Sequence, residues 1–263
     1  MSGCKAFMNV LRLISAAALI AGLQSVSFAQ ATSSSDSKPA VVAELFTSEG
    51  CSSCPPADAL LAKMDGMNYQ GAPIIVLSEH VDYWDHDGWR DRFSSEQWTQ
   101  RQNDYNLRFR LDSVYTPQMV IDGSQQVNGS NSGQVAHAIE TAAAQQGKLQ
   151  ITIADASWDN DVLRATVSVP DLSPQATKGT VLYAVLADDE DTSSVAKGEN
   201  SGRTLKHVSV VRVMQKVSPL HGPYSGPVEI KLPHGVARSK MRLIVFAQKG
   251  QNGQIFGAAQ REV

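Results

Sequence analysis

Apolar positions in the first half of the chain form short continuous runs that alternate with segments of helical spacing. The runs at residues 40–46 and 73–81 contain few polar side chains, which is typical of strands buried on both faces. Apolar residues three or four positions apart predict three helices, at residues 55–67, 94–109 and 131–146. Short strands are predicted between Pro117 and Asp122 and at residues 125–127. This alternation predicts an α/β arrangement.

Beyond Lys148 the apolar positions change to a period of two, which indicates strands with one buried face. The dipeptide Asn252-Gly253 joins the last two candidates and is a strong hairpin signal. The period predicts strands at residues 149–153, 163–169, 181–185, 207–214, 228–232, 241–247 and 254–259. We therefore expect an antiparallel β domain or extension over residues 148–263.

The N-terminus has the layout of a secretory signal peptide. Lys5 and Arg12 precede an almost wholly apolar stretch, residues 13–23, and small residues end the segment near Ala29. The apolar stretch is shorter than the ~20 residues that a membrane-spanning helix needs. We therefore expect a signal peptide at residues 1–29, a flexible linker at residues 30–38, a periplasmic or secreted location, and no membrane anchor after the signal is removed.

The charge balance argues against a nucleic-acid partner. Hydrophobic residues make up 42% of the chain and charged residues 19%, with a formal net charge of -3. This composition is that of a globular protein, and it lacks the positive field that attracts a polyanion. We expect no nucleic acid among the partners.

Two of the three cysteines stand in one short motif, Cys51-Ser52-Ser53-Cys54, and the third, Cys4, lies in the predicted signal peptide. A single close pair in an exported protein of this size indicates redox chemistry more than scaffolding. A metal clip and an inert structural disulfide are the alternatives. The pair follows a predicted buried strand and precedes a predicted helix, and this position favours reversible exchange.

The motif assigns different roles to the two cysteines. The dipole and free N–H groups at a helix N-terminus would lower the pKa of the outer thiol, so Cys51 is the predicted nucleophile. Cys54 would then resolve the mixed disulfide. Pro55 biases the preceding residue away from helical angles, which would start the helix later and weaken this activation.

Thr116-Pro117 is the predicted partner of the cysteine pair. Because it follows a helix and precedes the apolar run at residues 119–121, we expect a cis bond that exposes neighbouring backbone to a substrate chain. A trans proline at the start of a strand is the alternative. The predicted catalytic residues are Cys51, Cys54 and Pro117.

Other polar residues have two possible readings each. Glu44 would shuttle a proton to Cys54 if it were buried beneath the pair, or would be exposed at a sheet edge. His80 could join the thiolates in a copper or zinc site, or belong to a solvated loop. The loop at residues 197–204, with Arg203, would either fold back to rim the pair or bind a carboxylate, or it would form a simple glycine-rich turn.

The motifs together resemble a bacterial family of secreted thioredoxin-like proteins catalogued as a domain of unknown function. The resemblance rests on residues 44–58, 80–85, 115–118 and 198–205 and covers nearly the whole chain after the predicted signal. It implies a thioredoxin-like fold at residues 39–147, a C-terminal β extension and a dithiol site. It does not supply a reaction or a substrate.

The predicted fold class is therefore α/β, a thioredoxin-like domain followed by a smaller antiparallel β domain. The predicted function is that of an exported thiol–disulfide oxidoreductase acting on protein or small-molecule thiols or disulfides, without a cofactor or a resident metal. Thr116 and Arg203 are the predicted substrate-binding residues. A non-enzymatic protein that binds copper or a partner through the same thiols is the alternative.

Overall fold

The computed structural model describes residues 38–86, 88–176, 178–238 and 240–263. The predicted signal peptide and residues 30–37 of the predicted linker lie outside the described residues. The helices are α1 (Pro55–Met64), α2 (Glu96–Phe109) and α3 (Ser132–Ala143). The strands are β1 (Val41–Thr47), β2 (Asn68–Tyr69), β3 (Ala72–His80), β4 (Gln118–Ile121), β5 (Gln125–Asn128), β6 (Thr152–Asp159), β7 (Val162–Val169), β8 (Thr180–Ser194), β9 (Thr204–Leu220), β10 (Tyr224–Lys231), β11 (Met241–Lys249) and β12 (Ile255–Glu262).

A mixed nine-stranded sheet is the main element of the described chain. Its order is β12-β11-β8-β9-β3-β1-β4-β5, and β2 pairs with β3 beside this path. β1 and β3 are parallel, with Val41 opposite Ile74 and Thr47 opposite His80. β9 joins the other side of β3 in parallel, with Ser78 opposite Val210. That pairing makes the strands of both sequence halves parts of one sheet.

A three-stranded sheet, in the order β10-β7-β6, covers the C-terminal part of the large sheet. Buried side chains of β7 pack against those of β8 and β11 in one apolar core, which includes Leu163, Val167, Leu182, Leu243 and Val245. The alternating pattern of β7 matches this packing, because every second residue of a strand points to the same face.

The helices lie on the N-terminal part of the large sheet. α1 and α3 bury Leu61 and Ile139 against Leu45 of β1, whereas α2 buries Trp98 against Val42 of the same strand. Adjacent residues of a strand point to opposite faces, so α2 lies on the face opposite α1 and α3. None of these helices, nor any other in the described residues, has the length and hydropathy that a membrane crossing requires.

The predicted fold class, a thioredoxin-like α/β domain followed by a smaller β domain, is wrong. The described residues are 44% strand and 17% helix, with three α-helices and a mixed nine-stranded sheet beside a three-stranded one. The period-two segments were expected to form a β unit of their own. Instead β8 and β9, of 15 and 17 residues, extend the sheet of β1 and β3, because open hydrogen-bonding edges of strands pair wherever they meet.

The predicted elements themselves are mostly present. The three predicted helices lie at α1, α2 and α3, although α1 ends at Met64 and α3 at Ala143. The hairpin predicted at Asn252-Gly253 joins β11 to β12. β8 runs to Ser194, well beyond the predicted 181–185, because its later residues pair with the start of β9.

Candidate functional site

Cys51 and Cys54 form a disulfide in the loop that joins β1 to α1, with their Cα atoms 5.5 Å apart. Both residues are fully buried, whereas Ser52 and Ser53 between them are exposed. The Ser53 hydroxyl lies 3.3 Å from Cys51 Sγ. Cys51 is therefore the cysteine next to the exposed turn, and Cys54 is the first residue before the helix.

The N-terminus of α1 differs from the expected one in two ways. Cys54 has helical angles (φ -78°, ψ -37°) even though Pro55 follows it, so the helix is not delayed. Pro55 and Pro56 carry no N–H group, and the N–H groups of Ala57 and Asp58 both donate to the Cys54 carbonyl. The free N–H groups expected to stabilise a thiolate are therefore not supplied by this first turn.

The predicted cis bond is confirmed at Thr116–Pro117, and it lies beside the cysteine loop. The Thr116 carbonyl accepts a hydrogen bond from Ser53 Oγ (3.4 Å), and the Thr116 hydroxyl accepts one from Trp84 Nε1 (2.8 Å). Gly129 allows this approach, since a Cβ there would lie 3.1 Å from Ala57 Cβ and 3.4 Å from Pro117 Cβ.

Residues 195–203, here called the cover loop, join β8 to β9 and close over the cysteine loop. The fully buried Asn200 donates through Nδ2 to the carbonyls of Glu49 and Cys51, both at 2.9 Å. Glu199 Oε2 accepts from the N–H of Ser52 (3.0 Å). The prediction that this segment folds back to rim the pair is confirmed.

Five buried ionisable side chains, here called the histidine cluster, lie next to the disulfide loop. Its members come from the loop after β1, from α1, from β3 and the segment after it, and from β9: Glu49, Asp58, His80, Asp91 and His207. His80 Nδ1 and Asp91 Oδ2 are 2.6 Å apart, and the rings of His80 and His207 meet edge to face at 4.6 Å. Glu49 Oε1 lies 3.5 Å from His207 Nε2.

The carboxyl groups of the histidine cluster have different pKa values. Burial raises the pKa of Asp58 to about 6, although His207 and a hydrogen bond from Thr47 oppose the rise. Burial also acts to raise the pKa of Asp91, but His80 and two backbone N–H donors outweigh it and lower this pKa to about 2. Asp58 is therefore the carboxyl group of the cluster that changes protonation closest to neutral pH.

A second buried group, here called the arginine cluster, lies beneath α2 and consists of Glu44, Glu79, Arg101, Tyr105 and Gln248. Arg101 Nε donates to Glu44 (2.7 Å), and the Tyr105 hydroxyl donates to the same carboxylate (2.6 Å). Burial and the neighbouring Glu44 raise the pKa of Glu79 well above its ordinary value. Glu44 is thus fully buried, and the reading that placed it at an exposed sheet edge is wrong.

His80 does not belong to a solvated loop, which was one of the two readings of this residue. His80 is fully buried at the end of β3, and Trp89 Nε1 donates to Glu49 Oε2 (2.7 Å). Among the described residues, no group of three or more histidine, cysteine, aspartate or glutamate side chains is arranged to hold a metal ion.

The structure brings most of the predicted site residues together. Cys51, Cys54, Thr116 and Pro117 lie in adjoining loops, as described above. Arg203 is exposed and donates through Nη1 to Asn200 Oδ1 (3.0 Å), so it holds the cover loop. Sequence reasoning did not single out Asp58, Asp91, His207, Glu199 or Asn200.

A sequence signal existed for only some of these missed residues. Asp58 stands between Ala57 and Leu61 on the apolar face of a predicted helix, which is an unusual position for an acid. His207 has no comparable signal, because its place beside His80 depends on the pairing of β9 with β3.

Two solved structures are similar to this chain over most of its length. Protein AGR_C_4864 from Agrobacterium tumefaciens is 26% identical, with a TM-score of 0.61, over 85% of this chain and 94% of that one. HBP35 of Porphyromonas gingivalis is 16% identical, with a TM-score of 0.62, over 86% of this chain and 76% of that one; at this identity the likeness concerns the fold alone. A comparison with curated proteins gives no match.

The sequence profile of one family spans the β1 strand, the cysteine loop, the cover loop and β11. It matches residues 42–248, which is most of the chain. The chain therefore belongs to the family described as "Protein of unknown function (DUF1223)".

Proposed function

We propose that the protein is a thiol–disulfide oxidoreductase in which Cys51 and Cys54 cycle between a disulfide and two thiols. The observation that supports this most is the position of the bridged pair, in a four-residue loop next to an exposed serine turn and directly beside a cluster of buried acids and imidazoles. A disulfide that served only as a staple would gain nothing from such neighbours. Reversible exchange needs both an attack route and a proton acceptor.

The exchange step begins with a thiolate of the substrate attacking Cys51 Sγ. A new bond forms between the two sulfurs, the Cys51–Cys54 bond breaks, and Cys54 leaves as a thiolate. A second substrate thiolate then attacks the substrate sulfur of the mixed disulfide and releases Cys51. Two electrons pass from the substrate to the protein, so a substrate disulfide forms as the protein disulfide is reduced. The reverse sequence reduces a substrate.

The substrate chain would lie between the serine turn and the Thr116–Pro117 segment. Thr116 offers its carbonyl there, where it now accepts only the long hydrogen bond from Ser53. Arg203 stands exposed at the edge of the cover loop, where its guanidinium suits a substrate carboxylate. Protein or small-molecule thiols and disulfides are the proposed partners.

Exchange also requires movement of the cover loop, because both cysteines are fully buried while the loop is closed. The closure depends on few polar contacts, chiefly those of Asn200 and Glu199. A typical hydrogen bond contributes about 0.5–1.5 kcal/mol net, so opening the loop is affordable for a folded protein. A periplasmic or secreted location, which keeps thiols oxidised, fits this proposal.

The test compares the purified wild-type protein with Cys51→Ser and Cys54→Ser in insulin reduction and in oxidation of a model dithiol peptide. We expect turnover in the wild type, and a loss of at least about 100-fold in Cys51→Ser, since the thiolate is the nucleophile. Cys4→Ser in the full chain is the matched control and should keep wild-type turnover.

Two results would reject the proposal. One is turnover that persists in Cys51→Ser, and the other is absence of turnover in a wild-type protein that binds Cu(I) stoichiometrically through the reduced pair. The second result would favour the non-enzymatic binding function instead.

A further inference from the structure

A surface cavity of about 370 Å³ lies between α1 and the start of β9. Its lining residues are Pro55, Asp58, Ala59, Ala62, Thr204, Leu205 and Lys206. Asp58 is 94% buried, with 6% of its surface exposed, and is the lining residue that also belongs to the histidine cluster. This side chain therefore connects a solvent-accessible cavity with the buried groups behind the disulfide.

Asp58 lies on the first turn of α1, and Cys54, which has helical angles, caps that turn. They are four residues apart, so their side chains lie on the same side of the helix, with Cβ atoms about 5–6 Å apart in an ordinary helix. The N–H of Asp58 donates to the Cys54 carbonyl (3.1 Å), and Asp58 Oδ1 accepts from Thr47 Oγ1 (2.9 Å). The carboxyl group is thus held in place at one oxygen.

Cleavage of the disulfide creates an electrostatic problem at Cys54. The leaving sulfur becomes a thiolate in a fully buried position, where burial strongly disfavours the charged form. The first turn of α1 has no free N–H group to offer, as shown above. A proton must therefore reach Cys54 soon after the bond breaks.

We propose that Asp58 gives this proton to Cys54 and takes it back on reoxidation, and that Asp58 exchanges protons with solvent through the cavity between α1 and β9. The proposal rests on the proposed exchange function. In the reductive direction the Asp58 O–H bond breaks and a Cys54 S–H bond forms, which leaves a carboxylate. A proton from water in the cavity then restores the acid.

The charged groups around Asp58 suit this role. His207 faces it from β9, Glu49 from the loop after β1, and Asp91 from the segment after β3, while Lys206 lines the cavity. His207 Nε2 lies 3.5 Å from Glu49 Oε1, so a second buried acid stands on the other side of the same imidazole. The pKa of about 6 allows Asp58 to be either acid or base near neutral pH.

The test follows the Cys54 thiol directly in the Cys51→Ala variant, in which no disulfide forms between these residues. The 13Cβ chemical shift of Cys54 is recorded by NMR from pH 4 to pH 10. We expect an inflection near the pKa of Asp58 in addition to the thiol titration. Adding Asp58→Asn should abolish this inflection and lower the Cys54 midpoint by about one pH unit, because a neighbouring negative charge is removed.

Two further variants complete the design. Thr47→Val removes the hydrogen bond to Asp58 and should move the inflection to higher pH, which keeps the test valid if Asp58→Asn fails to fold. Glu140→Gln, at an exposed acid of α3, is the matched control and should change neither feature.

Two results would overturn proton transfer between Asp58 and Cys54, here called the relay. One is a Cys54 titration that is the same with and without Asp58, and the other is an inflection that does not move in Thr47→Val. Neither readout needs turnover. An Asp58-dependent titration in a protein that fails the insulin test supports the relay and rejects the exchange function, whereas turnover with an unaffected titration does the reverse.

The cavity is tested separately by Ala62→Met, which narrows it, against Lys63→Met, which lies on the same helix but does not line it. We expect the first variant alone to slow phosphine reduction of the Cys51–Cys54 disulfide at least about threefold. Equal rates in the two variants would overturn the cavity as the proton route.

Discussion

The arginine cluster and the histidine cluster are both buried and both contain several acids, but different atoms in them lack a hydrogen-bond partner. In the arginine cluster these atoms are the two carboxyl oxygens of Glu79. All three guanidinium nitrogens of Arg101 donate hydrogen bonds, to acceptors that include Glu44, Tyr105 and Gln248. In the histidine cluster, three of the four ring nitrogens of His80 and His207 have no hydrogen-bond partner.

This difference indicates different roles. A guanidinium is permanently charged, so the arginine cluster has one stable arrangement and holds α2 on the sheet. In the histidine cluster, by contrast, the carboxyl group of Asp58 has a pKa of about 6 and can exchange protons near neutral pH. Unpartnered buried nitrogens cost stability, and in this protein they occur beside the disulfide.

The largest expected effect is on the arginine cluster. Arg101→Met leaves Glu44 and Glu79 buried without a counter-charge, and should lower the free energy of unfolding by about 3–5 kcal/mol. Urea denaturation measures this. Arg108→Met, on the exposed side of the same helix, should stay within about 0.5 kcal/mol. If the free energy of unfolding fell by less than about 1 kcal/mol in Arg101→Met, the structural role assigned to this cluster would be wrong.

The next effect is a change in the pH dependence of stability in Asp58→Asn. The pKa of about 6 in the folded protein lies above the ordinary aspartate value of 3.8, so the wild type loses stability as the pH rises from about 4 to 6. A shift of this size corresponds to about 3 kcal/mol. Asp58→Asn should therefore gain stability relative to the wild type between pH 4 and pH 7, measured by urea denaturation at each pH.

Glu140→Gln is the control for this pH series and should follow the wild-type curve. A difference between Asp58→Asn and the wild type that is the same at pH 4 and pH 7 would mean that Asp58 titrates normally in the folded protein.

A smaller effect on stability, with the opposite pH dependence, is expected for His80 and Asp91 of the histidine cluster. The pKa of Asp91 is about 2 in the folded protein, so its contribution is present above about pH 4 and is lost as the pH falls through 2. His80→Gln removes the main charged cause and should cost about 2 kcal/mol at pH 7 and much less at pH 2.

The matched control is His86→Gln, because His86 is an exposed histidine of the same segment. Equal losses of stability at the two pH values in His80→Gln would show that the His80 ring acts by packing alone. His80 would then not be the cause of the low pKa of Asp91.

The smallest effect concerns access to the disulfide and leaves both clusters intact. Asn200→Ala removes the two hydrogen bonds to the cysteine loop, and at about 1 kcal/mol or less for each bond it should speed phosphine reduction about tenfold. Glu199→Gln keeps a hydrogen-bond acceptor at the exposed contact and should change the rate by less. A rate unchanged in Asn200→Ala would mean that the cover loop does not control access.

Sequence reasoning located the parts of the site that depend on neighbours in the chain. The spacing of Cys51 and Cys54, the helix after them and the cis bond before Pro117 are local features, and they were predicted. The apolar periods also located most helices and strands, because period follows from which face is buried.

The rest depends on which strand edges meet, and apolar periods do not specify this. The pairing of Ser78 with Val210 brings β9 beside β3, makes one sheet from the two sequence halves, and places His207 next to His80. The prediction of a thioredoxin-like domain followed by a β domain or extension did not specify this pairing, and it therefore missed both the single sheet and the position of His207. The exposed-edge reading of Glu44 failed because its partners Arg101 and Tyr105 lie on α2, 57 and 61 residues later, and apolar periods do not specify which helix covers a strand.

The long separation between the cysteine loop and Asn200, about 150 residues, affects the order of events while the chain is being made. Synthesis proceeds from the N-terminus at about 5–20 residues per second, so Cys51 and Cys54 leave the ribosome well before the β8–β9 hairpin exists. The sulfurs of the new chain are consequently uncovered until this hairpin has formed, and the bond between them can form before the cover loop closes. Maturation of the disulfide thus needs no opening of the cover loop, whereas the exchange that we propose does.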